Sequence, residues 1–490
     1  MGFSLVSGAV PWVVGVVAAV TLLGSLAGRR EGWPRRMLLE AGAAAAVTAA
    51  AQVALRRAGL LRWHFPPSFS LWVGLVVFTA AMAAGEWQRT RWWHRAVSLL
   101  SVAAAAALAG VLINLHYAYY PTLASVLGQR AMDEATPRQL SRALVDAEAT
   151  RRLPSRGQVV PTDFPAIASG FHARPGLVYL PPAWFAQPRP QLPAILMLAG
   201  SPGQPADWTR GGGADQAADR FAAAHGGYAP ILVLADQNGS VLADTECVDG
   251  PLHRPDTYLA VDVRQYVIRT YGASPDPARW GVAGLSEGGT CALTLTLRHP
   301  DLFSAVGDFS GELAPSLSGR ADTLTRLFGG SPLTQRAYDP LTLLARQRFP
   351  GVAVWFEAGA ADLRAGLATR SLAAAARTAG IDTHLGTERG GHAFAFWNRA
   401  FNDALPWLAG HMGLGVLPPA TSELTLPASP PATPPGDVGG DRRPPLTGAG
   451  PSRAHRGASG RAPGGRTGAA SGRSSRPGAG IRRTSRSPLR

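Results

Sequence analysis

The sequence predicts an α/β domain with a mostly parallel sheet, preceded by four transmembrane helices and followed by a disordered tail. Three features predict this organisation: four apolar stretches near the start, apolar runs of strand length that alternate with amphipathic stretches, and an end rich in Pro, Gly and Arg. The predicted parts are a membrane domain at 1–120, a connector at 121–157, the α/β domain at 158–412 and the tail at 413–490.

The four apolar stretches are the first element of this prediction. They cover roughly residues 9–27, 38–55, 69–87 and 96–115, and each is near the ~20 residues that a helix needs to cross a bilayer. A signal peptide is the alternative for the first stretch, and the core helices of a soluble bundle are the alternative for all four. Three further apolar stretches and the absence of a preceding positive charge favour a retained first helix.

The arginines between these stretches predict how the helices cross the membrane. The first and third gaps contain Arg29, Arg30, Arg35, Arg36, Arg89, Arg91 and Arg95, and the second gap contains Arg56, Arg57 and Arg62. The more basic gaps are expected in the cytoplasm. A multi-pass protein of the plasma membrane follows, with the α/β domain outside the cytoplasm. Aromatic residues near the helix ends, including Tyr117, Tyr119 and Tyr120, are expected at the membrane surface.

The middle of the chain alternates between strand and helix patterns. Strands are expected at 192–199, 229–235, 279–283, 302–309 and 352–357, and helices near 136–151, 256–271, 290–298 and 397–408. Such alternation predicts a mostly parallel sheet with helices on both faces.

The net charge of +15 is concentrated outside this domain. Residues 1–120 contain ten Arg and three acidic residues, and the tail contains twelve Arg and three acidic residues. The middle contains 25 Arg and 26 acidic residues, so we expect no nucleic-acid partner. The tail has too few large apolar residues to fold. It is expected to be a solvated appendage or to contact anionic lipids or wall polymers.

The segment Gly284-Leu285-Ser286-Glu287-Gly288 matches the pattern G-x-S-x-G. It lies between a predicted strand and a predicted helix, as a nucleophile elbow of the α/β-hydrolase fold does. Small residues are required there because the turn is tight. A serine at its ordinary pKa is a weak nucleophile, so it needs a histidine base and an acid that orients the histidine.

The chain order of this fold, serine then acid then histidine, selects the partners of Ser286. His392 follows two glycines on a loop before the last predicted helix, and Asp362 follows a predicted strand. Glu357 is a competing acid. His299 and His384 are poorer bases because one ends a helix and the other lies in a probable strand. The alternative for His392 is a structural role in its loop.

An oxyanion hole needs two backbone N–H groups near the nucleophile. One is expected from Glu287, which follows the nucleophile, and the other from Ser201, in the loop after an early strand. Pro202 has no N–H to offer.

Four segments of the α/β domain resemble the esterase family of α/β-hydrolases that includes the antigen 85 mycolyltransferases and the esterase D type enzymes. They are LPAILMLAGSPG (192–203), RWGVAGLSEGGTCAL (279–293), RHPDLFSAVGDFSG (298–311) and GGHAFAFW (390–397). The resemblance covers roughly 155–412. It implies an esterase, thioesterase or acyltransferase without metal or cofactor, with its triad at Ser286, Asp362 and His392. The sequence departs from the mycolyltransferases in having Asp rather than Glu as the expected acid.

The chain has two cysteines, too few for a disulfide-dense scaffold or a four-cysteine metal site. Cys291 lies at the start of the elbow helix, and Cys247 lies in a loop that the fold brings toward the active-site edge. We predict a disulfide between them, which an extracytoplasmic location permits. Two buried free thiols are the alternative.

Together these features predict a membrane-anchored, extracytoplasmic serine esterase or acyltransferase that acts through an acyl-enzyme. A lipid or an acyl ester of the cell envelope is the expected substrate. Phe394 and Trp397, close to His392, either line an acyl channel or pack in the core. The alternative function is a non-catalytic membrane protein whose hydrolase-like domain binds a ligand or partner.

Overall fold

The computed structural model describes residues 4–27, 33–57, 67–85, 87–88, 90–120, 122–126 and 134–414. The tail predicted at 413–490 lies outside these residues except for its first two positions. Several arginines of the orientation argument also lie outside them, namely Arg29, Arg30, Arg62 and Arg89.

Four long helices form the N-terminal part: α1 (Ala9–Leu26), α2 (Trp33–Arg57), α3 (Pro67–Gly85) and α4 (Trp92–Tyr117). Each contains a stretch of at least 18 residues with a mean hydropathy between 1.5 and 2.4. Only 11–22% of these stretches is buried, so apolar side chains cover the outside of the helices. A helix in a soluble bundle hides its apolar face, which is not the case here. The four helices therefore indicate association with a membrane.

The end of α4 lies beside the start of the chain. Both α1 and α3 pack against α4, and α2 packs against α3. Ser4, before α1, forms an antiparallel bridge with Thr122, after α4. The connector that follows contains α5 (Leu123–Val126) and α6 (Pro137–Thr150). Thr136 and Gln139 form a capping box at the start of α6.

The α/β domain is built on one sheet of eight strands. They are β1 (Gln158–Thr162), β2 (Gly176–Leu180), β3 (Ala194–Leu198), β4 (Ile231–Leu234), β5 (Trp280–Leu285), β6 (Ala305–Phe309), β7 (Ala353–Gly359) and β8 (Asp382–Glu388). Their order is β1-β2-β4-β3-β5-β6-β7-β8. All pairs from β4 to β8 are parallel, whereas β2 is antiparallel to both of its neighbours. The predicted mostly parallel sheet is confirmed.

Helices cover both faces of the sheet. Between the strands and after them lie α7 (Asp207–Arg210), α8 (Ala214–Ala224), α9 (Pro255–Thr257), α10 (Arg264–Tyr271), α11 (Glu287–Arg298), α12 (Arg320–Asp322), α13 (Pro332–Tyr338), α14 (Pro340–Arg346), α15 (Leu363–Thr378) and α16 (Phe394–His411). One apolar core joins α10, α11, α14 and α15 to the sheet. A second core, on the opposite face, joins α8 and α16 to it. This arrangement places the carboxyl ends of the parallel strands at one edge.

The sequence predicts neither β1 nor β2, it predicts β8 only as the strand that contains His384, and some predicted boundaries are wrong. β1 contains Pro161 and lies at the sheet edge, and β8 is largely polar and half-exposed, so neither has the apolar run of a buried strand. β2 is apolar but only five residues long. The elbow helix begins at Glu287 rather than Thr290, because Gly288 and Gly289 already belong to its first turn.

The predicted disulfide is present between Cys247 and Cys291. It joins the loop after β4 to the first half of α11. Both residues are almost fully buried, at 2% and 0% exposure. The bond therefore closes a segment of 44 residues across the active-site edge of the domain.

We predict that replacing both cysteines (Cys247→Ala/Cys291→Ala) lowers the free energy of unfolding by about 3–4 kcal/mol, from the chain entropy that the cross-link removes from the unfolded state. Denaturant unfolding of the full chain in detergent, followed by tryptophan fluorescence, measures this. Reductant should destabilise the wild type by a similar amount and leave the double variant unchanged. Equal stability of oxidised and reduced wild type would contradict the prediction.

Candidate active site

The candidate nucleophile Ser286 lies in the single-residue turn between β5 and α11. Its backbone is in the left-handed region, with φ 57° and ψ −125°, a strained conformation for a residue with a side chain. Two glycines make the turn possible. A Cβ on Gly284 would collide with the Gly288 carbonyl, and a Cβ on Gly288 would collide with the carbonyls of Leu198 and Ala199. The elbow pattern thus reflects close backbone packing, and it presents Ser286 at the carboxyl edge of the sheet.

The three predicted catalytic residues form one continuous hydrogen-bonded chain. His392 Nδ1 lies 2.6 Å from Asp362 Oδ2, and His392 Nε2 lies 2.8 Å from Ser286 Oγ. An ionised carboxylate can only accept, so Nδ1 donates to Asp362. In the neutral imidazole Nε2 then accepts from the serine hydroxyl. This is the arrangement that general-base activation of a serine requires.

Asp362 is held in place by the start of α15. It caps that helix, where its Oδ1 accepts from the Ala365 N–H at 3.3 Å. Burial alone would raise the pKa of Asp362, but the hydrogen bond and charge of His392 outweigh burial and lower that pKa below its ordinary value. The carboxyl therefore stays ionised at neutral pH and can stabilise a positive imidazolium.

The competing residues lie elsewhere. The Glu357 carboxylate accepts from Trp355 Nε1 at 2.7 Å and does not contact His392. His299 Nε2 lies 2.6 Å from Asp256 at the end of α11, and the His384 ring stacks on Trp355. The structure thus brings Asp362, rather than Glu357, to the histidine.

The loop after β3 approaches the serine closely. A Cβ on Gly200 would lie 3.1 Å from Ser286 Cβ, a tight contact that a larger residue could make only if its neighbours shifted slightly. Trp208 Nε1 donates to the Leu198 carbonyl at 2.8 Å, and Gln237 Nε2 donates to the Ala199 carbonyl at 2.6 Å. In the part of the chain that the structure describes, neither the Ser201 N–H nor the Glu287 N–H donates to another backbone atom. Both predicted oxyanion donors therefore lie beside the nucleophile without a backbone partner.

The side chain of Glu287 points into the protein beneath the elbow. Its carboxyl accepts from Asn238 Nδ2 at 2.9 Å, with Gln237 Nε2 at 3.3 Å. Burial, together with the nearby Asp244, raises the pKa of Glu287 well above its ordinary value. Burial raises the pKa of the neighbouring Glu246 as well.

One group of side chains with metal-binding spacing occurs among the described residues, namely Cys247, Glu287 and Cys291. The two sulfurs are bonded to each other, so this group offers no thiolate.

The end of the membrane part contacts the wall of the site. The Tyr119 hydroxyl donates to Asp207 Oδ1 at 2.8 Å, and the Tyr119 ring packs edge-on against Phe394 at 4.9 Å. Asp207 in turn accepts from the Gln204 N–H at 2.9 Å, in the loop after β3. Tyr119 was expected at the membrane surface with the other aromatics. The structure instead gives it a specific contact with the α/β domain.

The two aromatic residues after His392 have different surroundings. Trp397 is buried, at 3% exposure, and packs edge-on against the His392 ring at 4.9 Å. Phe394 lies between Tyr119 and Trp397. Trp397 therefore packs in the core, and Phe394 lies at the junction with the membrane part.

Sequence reasoning missed the residues that support the site. Gln237 and Asn238 lie three and four residues after the end of β4, and parallel strands end at the same edge, so their position was a usable signal. The role of Trp208 depends on a tertiary contact that has no local signature.

The fold and the site geometry define the class of protein: a serine hydrolase with the α/β-hydrolase fold. The model of the Esterase family matches residues 172–408. The chain belongs to this Esterase family and is a hydrolytic enzyme, which confirms the resemblance seen in the sequence.

A longer match extends beyond this segment. An uncharacterized protein of Corynebacterium glutamicum is 32% identical over 419 residues, which cover 81% of this chain and 94% of that protein. Among solved structures, a ferulic acid esterase is 21% identical with a TM-score of 0.45, covering 52% of this chain and 99% of its own. An S-formylglutathione hydrolase from Agrobacterium tumefaciens is 20% identical with a TM-score of 0.45, covering 53% and 97%. MPT51 of Mycobacterium tuberculosis is 19% identical with a TM-score of 0.35, covering 51% and 99%.

We predict a pH-dependent effect of Asp308→Asn. The Asp308 carboxyl is buried behind the elbow, where burial raises its pKa to about 7 although Oδ1 accepts from the Gly311 N–H. Between pH 4 and 7 the unfolded chain ionises this group while the native protein keeps it protonated, so native stability falls as pH rises. Asn does not ionise. The free energy of unfolding of the variant, relative to that of wild type, should therefore rise by about 3–4 kcal/mol between pH 4 and pH 8.

Denaturant unfolding of both proteins at pH 4 and pH 8 measures this difference. Asp301→Asn, at an exposed position of the same domain, is the matched control and should show no such gain. If the free energies of unfolding of wild type and Asp308→Asn differ by the same amount at pH 4 and at pH 8, the prediction is wrong.

Proposed function

We propose that this protein is a membrane-anchored, extracytoplasmic serine esterase or acyltransferase that uses Ser286, His392 and Asp362 through an acyl-enzyme. Its proposed substrates are acyl esters of lipids or of the cell envelope. The single observation that carries the proposal is the continuous hydrogen-bonded chain from Asp362 through His392 to Ser286.

The first half of the reaction follows from this chain. His392 Nε2 takes the proton of Ser286 as Oγ attacks the acyl carbonyl. The carbonyl oxygen becomes negative and accepts hydrogen bonds from the N–H groups of Glu287 and Ser201. His392 then gives the proton to the leaving alkoxide. The alcohol departs and an ester between Ser286 and the acyl group remains.

The second half transfers this acyl group to an acceptor. His392 takes a proton from water, or from a sugar or lipid hydroxyl, whose oxygen attacks the acyl-enzyme. The proton returns to Ser286 Oγ as the acyl group leaves. Asp362 stays ionised throughout and stabilises the imidazolium in both halves.

The proposed location follows from the helices. Four crossings return the chain to the side on which it started, in agreement with the bridge between Ser4 and Thr122. The more basic gaps then lie on the side opposite the α/β domain, where the cytoplasm is expected. The disulfide supports the same side, since such bonds persist in oxidising compartments.

We predict that Ser286→Ala abolishes covalent labelling by a fluorophosphonate probe, because the probe reacts with an activated serine hydroxyl. Labelling of membranes that contain the full-length protein, followed by gel fluorescence, measures this. Ser371→Ala, on the exposed face of α15, should label like wild type. Correctly folded wild type that does not label would refute the enzyme proposal and favour a ligand- or partner-binding role.

A second prediction separates the two candidate acids. Asp362→Asn should lower kcat on a soluble short-chain ester by about 10³–10⁴-fold with little change in KM, since a neutral amide cannot stabilise the imidazolium. Glu357→Gln should keep kcat within about twofold, because the Glu357 carboxylate faces Trp355. A larger loss in Glu357→Gln than in Asp362→Asn would reverse the assignment.

A further inference from the structure

The active-site edge of the α/β domain carries a set of exposed large apolar side chains, which we term the apolar rim. It consists of Val241, Leu242, Leu313, Leu363 and Leu367. Single exposed apolar residues are ordinary on soluble proteins, whereas several around one opening mark an interaction site.

The members of the apolar rim lie in segments that adjoin the candidate site. The Val241 carbonyl accepts from the Gly203 N–H in the loop after β3. Leu363 follows Asp362, and Leu367 lies one helical turn further along α15. Leu313 follows Glu312, whose N–H donates to Thr290 in the first turn of α11. The apolar rim thus lies on the loops after β4 and β6 and on the start of α15, which all follow strands at the edge where Ser286 lies.

The membrane helix α4 ends at this same edge. Only one residue separates the end of α4 from Tyr119, which contacts Asp207 and Phe394. The backbone just after α4 is fixed by the side-chain amide of Asn114. This amide donates to the Tyr120 carbonyl and accepts from the Tyr120 N–H, both at 2.8 Å. Phe394 packs edge-on against Trp397, which in turn packs edge-on against the His392 ring. A series of ring contacts therefore leads from Tyr119, just after α4, to His392.

We propose that the apolar rim lies in the interfacial layer of the bilayer that holds α1–α4, so that a lipid ester enters the site from the leaflet. The position of α4 supports the bilayer as the occupant. A membrane-spanning helix ends at the membrane surface, so the parts of the α/β domain that contact its end lie close to that surface. Exposed apolar side chains are stable in that layer. A second copy of this chain and a protein partner are the other occupants that the experiment distinguishes.

The proposal about the substrate rests on the proposed function, whereas the proposal about orientation does not. If the acyl chains of a lipid stay in the leaflet, only its ester group has to move from the membrane surface to Ser286. The acyl chains of such a substrate are not transferred from the bilayer to water, which would be unfavourable. The apolar rim keeps them in an apolar environment near the site.

A labelling experiment tests the orientation without relying on catalysis. Both native cysteines are in the disulfide, so an introduced cysteine is the single free thiol. Leu367→Cys is labelled with a polarity-sensitive fluorophore in full-length Ser286→Ala protein, reconstituted in phosphatidylcholine vesicles. Val145→Cys on α6 is the matched control. Both positions are 62% exposed, and α6 packs near the opposite end of the strands.

We expect lipid-attached nitroxide quenchers to quench the Leu367→Cys label at least threefold more than the Val145→Cys label, with aqueous iodide showing the reverse order. Equal quenching of the two labels by each quencher would overturn the proposal. Protection of Leu367→Cys from iodide without quenching by lipid nitroxides would also overturn it, in favour of a second copy or a protein partner.

A kinetic experiment tests the entry of substrate. In vesicles, Leu242→Asp/Leu367→Asp should turn over a long-chain lipid ester about tenfold more slowly than wild type, because two charges replace apolar contacts with the bilayer. Hydrolysis of a soluble short-chain ester should stay within about twofold. Equal loss on both esters would overturn leaflet entry, whereas a wild type inactive on both would instead refute the proposed function.

Discussion

The close packing of backbone around Ser286 is the constraint on which the site depends. Gly284 and Gly288 bring stretches of main chain so near to each other that no side chain fits between them, and Gly200 approaches the serine closely. This packing holds the serine in a left-handed conformation that it would not adopt alone. The position of the hydroxyl is therefore set by the sheet and the elbow helix together, and the histidine needs only to reach it.

A layer of buried polar groups supports this packing from below. Trp208 and Gln237 hold the loop after β3 by their hydrogen bonds to its carbonyls, and Asn238 holds the Glu287 carboxyl. Buried acidic groups in this layer would be costly if ionised. Burial raises the pKa values of Glu246 and Glu287, which favours the uncharged forms of both carboxyls in this layer.

The parts of the fold that the sequence predicted are those with strong local signatures. The four apolar helices, the buried central strands and the elbow all have patterns that depend on near neighbours in the chain. β1 and β8 have no such pattern, since an edge strand needs less apolar surface. Two candidates for the acid, Asp362 and Glu357, remained because both lie near the carboxyl end of the same predicted strand. Which of them reaches His392 depends on the direction of each side chain. The contact between Tyr119 and Asp207 joins residues 88 positions apart, which a single sequence does not reveal.

The same contact has a consequence for any attempt to work with the α/β domain alone. A chain cut between α4 and α6 would lose the Tyr119 hydroxyl from Asp207, whose side chain is buried. Burial already raises the pKa of Asp207, and the bond from Tyr119 opposes that rise. Without the bond the carboxyl would protonate more readily and hold Gln204 less firmly. A soluble fragment would thus differ from the intact protein in the loop that carries Ser201, and a measurement of its activity would describe a protein with an altered loop beside Ser286.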